Sequence, residues 1–104
     1  MIHKATKIVI ITEKLLVEKV AQVIESAGAS GYTILAAGGK GSRGVRASGR
    51  AAVVDGLSNV KFEVIAANRD TAVQIADEVA ERFFEDYSGI TYLEEVEILR
   101  PHKF

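Results

Sequence analysis

A short motif occurs twice in this chain, and both copies follow a stretch with helical periodicity. Residues 30–35 read SGYTIL and residues 88–93 read SGITYL. In each copy a run rich in β-branched and aromatic side chains, typical of a strand, follows the Ser-Gly pair. The preceding stretches, residues 13–27 and 71–84, carry apolar side chains at three- and four-residue spacing, which predicts helices. We therefore interpret the chain as an internal repeat of one strand–helix–strand unit.

The remaining apolar runs complete the two units. Strands are predicted over residues 7–12, 32–37, 60–66 and 91–99. The resulting order predicts an α+β fold, a ferredoxin-like βαββαβ sandwich in which two helices cover one face of a four-stranded antiparallel sheet. Gly28 is expected to end the first helix, and Asn68 or Asp70 to cap the second. A chain of 104 residues has the size of a single domain, residues 1–104, whose modest core oligomerisation would help to stabilise.

The predicted second and third strands are joined by a long loop, residues 38 to about 58, that is rich in glycine and arginine. Six of the nine glycines of the chain lie between residues 38 and 56, together with four cationic side chains and one acid, Asp55. The loop segment therefore carries a formal charge of +3, although the net charge of the whole chain is only −1. Long loops without secondary structure are usually functional or disordered. We expect a local cationic site here rather than a general nucleic-acid-binding surface.

The loop resembles phosphate-binding motifs only in part. Gly39, Gly41 and Gly44 satisfy G-x-G-x-x-G, but no helical periodicity follows, as a dinucleotide fingerprint requires. The spacing around Lys40 does not fit a P-loop either. Glycine-exposed backbone N–H groups beside Lys40 and Arg43 could still receive a phosphate. A solvated, mobile basic loop is the alternative that the pattern leaves open.

Four stretches of the chain resemble the PII-like signalling proteins. They are KIVIITEKLL, the SGYT turn, GGKGSRGVRASG and DYSGITY, and the similarity covers nearly the whole chain. The resemblance implies a ferredoxin-like homotrimer that binds the adenine nucleotides cAMP, AMP, ADP and ATP in clefts between subunits. It also implies that the long loop, the T-loop of this family, engages a target protein. Whether a divalent cation accompanies ATP stays open.

The resemblance assigns roles to particular residues and suggests a partner. Carried over residue by residue, the phosphate or ribose contacts would come from the base of the loop: Gly39, Lys40, Gly41, Ser42, Arg43 and Arg46. Gly89 would present its backbone to the nucleotide. Within the family, the similarity is to the branch that controls the cyanobacterial sodium-dependent bicarbonate transporter SbtA. That resemblance implies a cytoplasmic regulator that reaches the membrane only through the transporter.

Two other kinds of function remain as alternatives. A nucleotide-hydrolysing enzyme on the same fold would need a positioned base or nucleophile, yet His3 and His102 lie near the termini. Glu13 and Glu63 could hold a metal on bound ATP, or could simply face solvent or form salt bridges. RNA-binding domains share this element order and stack bases on aromatic side chains of the third strand. Here that strand has one aromatic residue, Phe62, on the face assigned to the core, so we do not expect a nucleic-acid-binding protein. Because no base or nucleophile is evidently positioned, we do not expect an enzyme either.

The sequence also suggests what the chain lacks. It contains no cysteine, so we expect no disulfide, no thiolate metal site and no thiol switch. Some family members carry a glycine-rich C-terminal extension with two cysteines, and hydrolysis tied to that segment is not expected here. The N-terminal stretch has only a short apolar run, which predicts neither a signal peptide nor direct membrane insertion.

Overall fold

The computed structural model describes residues 1–29, 31–39 and 58–100, and these residues form a four-stranded antiparallel sheet with two α-helices. The strands are β1 (His3–Glu13), β2 (Tyr32–Ala37), β3 (Asn59–Ala66) and β4 (Gly89–Ile98), and the helices are α1 (Val17–Ser26) and α2 (Arg69–Phe83). The strand order is β2-β3-β1-β4. This arrangement confirms the predicted ferredoxin-like sandwich. Since β2 ends at Ala37 and β3 begins at Asn59, residues 38–58 connect these two strands.

The central strand β1 organises the sheet because it pairs with both β3 and β4. Side chains alternate between the two faces of a strand, so Ile8 and Ile10 share one face with their cross-strand partners Val64 and Phe62. These four side chains are buried against the helices, whereas Ile34 of the outer strand β2, on the same face, is 41% exposed. The buried core is completed by Leu16, Val20, Val23, Ile24, Val60, Ala66, Ala72, Ile75, Val79 and Phe83. Phe62 has 0% of its surface exposed, so the strand that an RNA-binding domain would use for stacking presents no aromatic ring to solvent.

The first helix begins later than the sequence pattern predicts. Glu13 has an extended backbone (φ −69°, ψ 141°) and pairs with Asn59, so it is the last residue of β1. A 3₁₀ turn, Lys14–Leu16, then leads into α1. The predicted helical start at Glu13 was wrong because strand pairing extends beyond the apolar run that marks the strand in the sequence.

The end of α1 follows the prediction. Gly28 has a φ of +91°, a left-handed conformation that favours glycine. Its N–H donates to Glu25 O at 3.1 Å, and the N–H of Ala29 donates to Ile24 O at 3.4 Å. This pair of hydrogen bonds is the Schellman motif, which satisfies the last carbonyl groups of a helix.

The second helix starts at the first of its two predicted caps. The Asn68 side chain accepts a hydrogen bond from Thr71 N at 2.9 Å, whereas Asp70 lies inside the first turn of α2. An acid in the first turn is favourable beside the positive end of the helix dipole. Asn68 is therefore the N-cap, and α2 begins two residues earlier than predicted.

The outer strand β4 begins at Gly89 rather than at Thr91. Gly89 and Ile90 pair with Thr12 and Ile11 of β1, and the same ladder continues to His3 at the other end. The sequence pattern missed these residues because hydrogen bonding to a neighbouring strand, rather than the local side-chain pattern, decides where a strand ends.

Candidate functional site

The candidate site lies at one end of the sheet, where the 38–58 segment leaves β2 and enters β3. Across this end, Ala37 pairs with Asn59 and Asn59 pairs with Glu13. On the other side of β1, Thr12 pairs with Gly89. The antiparallel order therefore brings both ends of the long loop and the turn before β4 to the same end of the strands, which we call the loop end of the sheet.

Three hydrogen bonds from the end of β1 connect these segments. Thr12 Oγ1 donates to Ser88 O at 2.7 Å, and Ser88 N donates to Glu13 Oε2 at 2.6 Å. The backbone N–H of Lys14 donates to Ser58 O at 3.0 Å. A bond from a backbone N–H to a carboxylate is charge-assisted and stronger than a neutral one. The end of β1 thus positions both the Ser88–Gly89 turn and the last residue of the long loop.

Gly89 packs closely against a neighbouring aromatic side chain. A Cβ atom placed on Gly89 would overlap the aromatic ring of Phe84, the residue that follows α2. The ring therefore lies directly against the Gly89 backbone. Since Gly89 itself is exposed, its backbone is accessible on the side that the ring leaves open.

Two of the predicted site residues can be located, and both belong to the loop end. Gly39 follows the last residue of β2 by two positions, and Gly89 begins β4. The other five lie outside the described residues: Lys40, Gly41, Ser42, Arg43 and Arg46. For these five the assignment remains a prediction, although Lys40 directly follows Gly39 in the chain.

The sequence analysis did not identify four residues of this site, namely Thr12, Lys14, Ser58 and Ser88. Lys14 is exposed beside Glu13 and adds a cation to the loop end. The Ser88 hydroxyl is buried and has no hydrogen-bond partner among the described residues. These residues come together because β1 lies between β3 and β4. In the sequence, only the predicted ferredoxin-like strand order indicated that β1 has these two neighbours.

The other candidates from the sequence lie away from the loop end. Glu63 forms a salt bridge with Lys61 at 3.4 Å, in agreement with the salt-bridge interpretation. His3 begins β1 at the opposite end of the sheet, and His102 lies outside the described residues. Within ranges 1–29, 31–39 and 58–100, no three His, Asp or Glu side chains cluster as a metal site would require.

The sheet face opposite the helices has exposed apolar side chains. Cross-strand partners place Leu35, Lys61, Ile11 and Ile90 in one row. Leu35 is 46% exposed, Ile90 56% and Tyr92, two residues along β4 from Ile90, 40%. We call this surface the open face. Apolar surface of this kind often marks a protein–protein contact.

A groove of about 400 Å³ lies at the other end of the molecule. Its walls include His3, Gly28, Asn68 and Ile98. None of the residues predicted to bind a ligand lines this groove.

The fold and the glycine-flanked loop end define a regulatory protein of the P-II type. The chain belongs to the nitrogen regulatory protein P-II family, whose sequence profile matches residues 5–103. Solved structures agree with this membership. The chain is 32% identical to a PII-like signalling protein from Thermus thermophilus, covering 99% of this chain and 97% of that one, with a TM-score of 0.78.

Two structures of CPII, a protein from Thiomonas intermedia, are also similar. CPII bound to ADP and bicarbonate is 25% identical with a TM-score of 0.79, and CPII bound to ADP, AMP and acetate is 28% identical with a TM-score of 0.69. Each match covers 100% of this chain and 97% of CPII.

The two helices were compared with the requirements for a membrane-spanning helix. In the part of the chain that the structure describes, neither helix combines the length and the apolar character that crossing a bilayer would demand.

Proposed function

We propose that this P-II family protein senses adenine nucleotides at the loop end of the sheet. The observation that carries the proposal is that Gly39, after β2, and Gly89, at the start of β4, lie at the same end of the sheet, where Thr12, Glu13 and Lys14 hydrogen-bond to Ser88 and Ser58. CPII, which shares the fold, has been solved with ADP and with AMP. ADP and AMP are therefore the first ligands to test, with ATP and cAMP as further candidates.

Phosphate binding would use the base of the long loop. The proposed ligand residues are Gly39, Lys40, Gly41, Ser42, Arg43, Arg46 and Gly89. Glycine backbone N–H groups and the planar guanidinium groups of arginine suit phosphate oxygens. The exposed Lys14 adds positive charge beside them. The buried Ser88 hydroxyl, unpaired among the described residues, is a polar group that a ligand or a water could satisfy.

A homotrimer is the assembly that we propose. The open face supports it, because exposed apolar side chains such as Ile90 and Tyr92 are better buried between protomers than left in water. In such an assembly a nucleotide would bind in a cleft between two subunits.

The regulatory output would be a change in the conformation of the long loop. A nucleotide that pulls Arg43 and Arg46 inward would favour one loop conformation, and a ligand shifts an equilibrium only by its preference for one state. On the basis of the sequence resemblance, we propose an SbtB-type regulator whose loop engages the bicarbonate transporter SbtA. It would then act in the cytoplasm and reach the membrane through this partner.

Calorimetry provides the test of nucleotide binding. ADP, AMP, ATP and cAMP are titrated into wild-type protein and into Arg43→Ala and Arg46→Ala, with ATP measured both with and without Mg²⁺. We expect saturable binding by the wild type and weaker binding by both variants, since each loses a charge-assisted contact. If the wild type binds none of the four, the sensing proposal fails; if both variants bind as tightly as wild type, the site is elsewhere.

The proposal includes no catalytic role, as is general for P-II regulators. Incubation with ATP, followed by measurement of released phosphate, tests this directly. Steady multiple turnover in the purified protein would contradict it and would favour the hydrolytic alternative.

A further inference from the structure

The Glu13 carboxylate has an unusual position for a protein that is proposed to bind an anion. It accepts a hydrogen bond from Ser88 N at 2.6 Å, at the turn whose next residue, Gly89, is a proposed ligand contact. Backbone N–H groups at such turns are also what phosphate oxygens bind. A negative charge of the chain itself therefore already occupies one of the donors at the loop end.

The placement of Glu13 is fixed by its backbone. Glu13 pairs with Asn59 of β3, and the N–H of the next residue, Lys14, is held by Ser58 O. On the other side, Thr12 Oγ1 donates to Ser88 O at 2.7 Å. Strand pairing therefore holds the backbone of Glu13 beside the turn, within reach of Ser88 N for its carboxylate.

We propose that the Glu13 carboxylate is an internal competitor of the ligand phosphate at the Ser88–Gly89 turn, and so sets the affinity for anionic nucleotides. This inference rests on the proposed function. In the absence of ligand the carboxylate satisfies Ser88 N–H and orders the turn. A phosphate that binds at Gly89 either displaces the carboxylate or lies beside it, and both cost binding free energy through a lost hydrogen bond or through repulsion between like charges.

The decisive variant is Glu13→Gln. Glutamine keeps an oxygen that can accept the bond from Ser88 N but removes the charge. ADP should bind Glu13→Gln about fivefold more tightly than wild type, the factor expected for a like charge roughly 4 Å away in water. AMP carries less phosphate charge and should gain less. The titrations are run in EDTA, so that no divalent cation can bridge the two anions.

Two variants act as controls. Glu78→Gln makes the same change of charge on the outer side of α2, where Glu78 pairs with Arg82 at 3.2 Å, and ADP affinity should not change. Glu13→Asp keeps the charge on a shorter side chain, and it should not tighten binding. If Glu78→Gln tightens binding equally, the effect comes from net charge and the proposal is overturned.

The outcomes separate this inference from the proposed function. If wild type does not bind ADP, the nucleotide-sensing proposal itself fails. If wild type binds ADP but Glu13→Gln binds equally or more weakly, only the competitor role is overturned. Should Glu13→Gln fail to fold, the ¹H–¹⁵N spectrum of wild type decides: ADP should shift the Ser88 amide resonance, and an unchanged resonance at saturation contradicts the proposal.

Discussion

At the scale of single residues, Gly89 shows how packing and function can require the same amino acid. Its backbone lies against the Phe84 ring, which leaves no room for a Cβ atom, and it begins the strand that borders the proposed nucleotide site. Any larger residue at this position would require the Phe84 ring to move, even without a ligand. The reason for the glycine is a contact between two segments, which the sequence pattern does not show.

Gly89→Ala is expected to destabilise the protein. The new methyl group must push the Phe84 ring aside, and overpacking of this kind costs about 1–3 kcal/mol. Urea unfolding of Gly89→Ala, Phe84→Leu and the double variant measures the coupling between the two sites. The double variant should lose less stability than the sum of the two single variants. Strict additivity would mean that the ring and the glycine do not contact each other.

Ionisation of Tyr32 is predicted to lower the stability of the folded protein at alkaline pH. Burial, followed by the nearby negative charge of Glu25 and the hydrogen bond to Glu25 Oε2 at 3.3 Å, raises the pKa of the Tyr32 hydroxyl above its ordinary value of 10.0. The unfolded chain therefore loses this proton first. The stability that the neutral hydroxyl provides is complete below pH 10 and is lost as the pH rises through the folded pKa.

Unfolding of wild type and Tyr32→Phe at pH 8 and pH 11 measures this effect, with the two pH values chosen to lie roughly on either side of an unperturbed tyrosine pKa. Wild type should lose more stability between the two values than Tyr32→Phe. Lys7, whose pKa is raised mainly by its hydrogen bond with Glu94, is present in both proteins, so its contribution cancels. Equal losses would show that Tyr32 ionises alike in the folded and unfolded states.

At the scale of elements, the end of β1 is the part of the fold on which the candidate site depends. Thr12 and Glu13 both hydrogen-bond to Ser88 in the turn before β4, and Lys14 N donates to Ser58 O before β3. The helices contribute less directly, since the Phe84 ring belongs to the residue that follows α2, and α1 begins after the 3₁₀ turn. The candidate site is therefore held together by residues at the end of β1, rather than by residues inside a strand or helix.

The N-cap of α2 gives a prediction at this scale. Asn68→Ala removes the acceptor for Thr71 N, and loss of such a cap costs about 0.5–2 kcal/mol. Asn68→Asp is the matched control, because a carboxylate can accept the same bond and suits the helix dipole. The midpoint of urea unfolding, measured at a fixed protomer concentration, should fall for the alanine variant alone. An equal fall for both variants would mean that the side chain acts through another contact.

At the scale of the whole molecule, the open face is the surface that we expect to be buried between the subunits of the proposed homotrimer. The helices cover one side of the sheet, while the other side exposes Leu35, Ile90 and Tyr92 around the buried Val9. Salt bridges, including Lys7–Glu94 at 3.1 Å and Lys61–Glu63 at 3.4 Å, lie among these residues. Apolar side chains and ion pairs alternate on this face, and subunit interfaces also combine apolar and polar groups.

Tyr92→Lys should disrupt the proposed trimer. The substitution places a cation on the outer strand β4 of the open face, where burial between protomers would remove the charge from water. Sedimentation equilibrium should give the mass of three chains for wild type and a lower mass for the variant. Leu15→Lys is the control, since Leu15 is 68% exposed but precedes α1 and lies outside the open face. A trimeric Tyr92→Lys protein would exclude the open face as the interface.

The sequence predicted the elements well where side-chain periodicity is strong. The bounds of β2 were predicted at Tyr32 and Ala37, and the stop at Gly28 and the core position of Phe62 were also confirmed. The boundaries at Glu13 and Gly89 were not, because backbone pairing with distant strands sets them. Gly39 and Gly89 lie at the loop end of the sheet, and their role as ligand contacts stays a prediction. Ser58 and Ser88 were identified only through their hydrogen bonds.

The sequence by itself determined the type of fold, because two copies of a strand–helix–strand pattern with alternating and helical periodicities fit a ferredoxin-like sandwich. It also identified the glycine- and arginine-rich connection between β2 and β3. Only the tertiary structure placed Glu13 against the Ser88–Gly89 turn, since residues 75 positions apart are joined by the pairing of β1 with β4. Periodicity depends on local spacing along the chain, whereas that contact depends on which strands become neighbours.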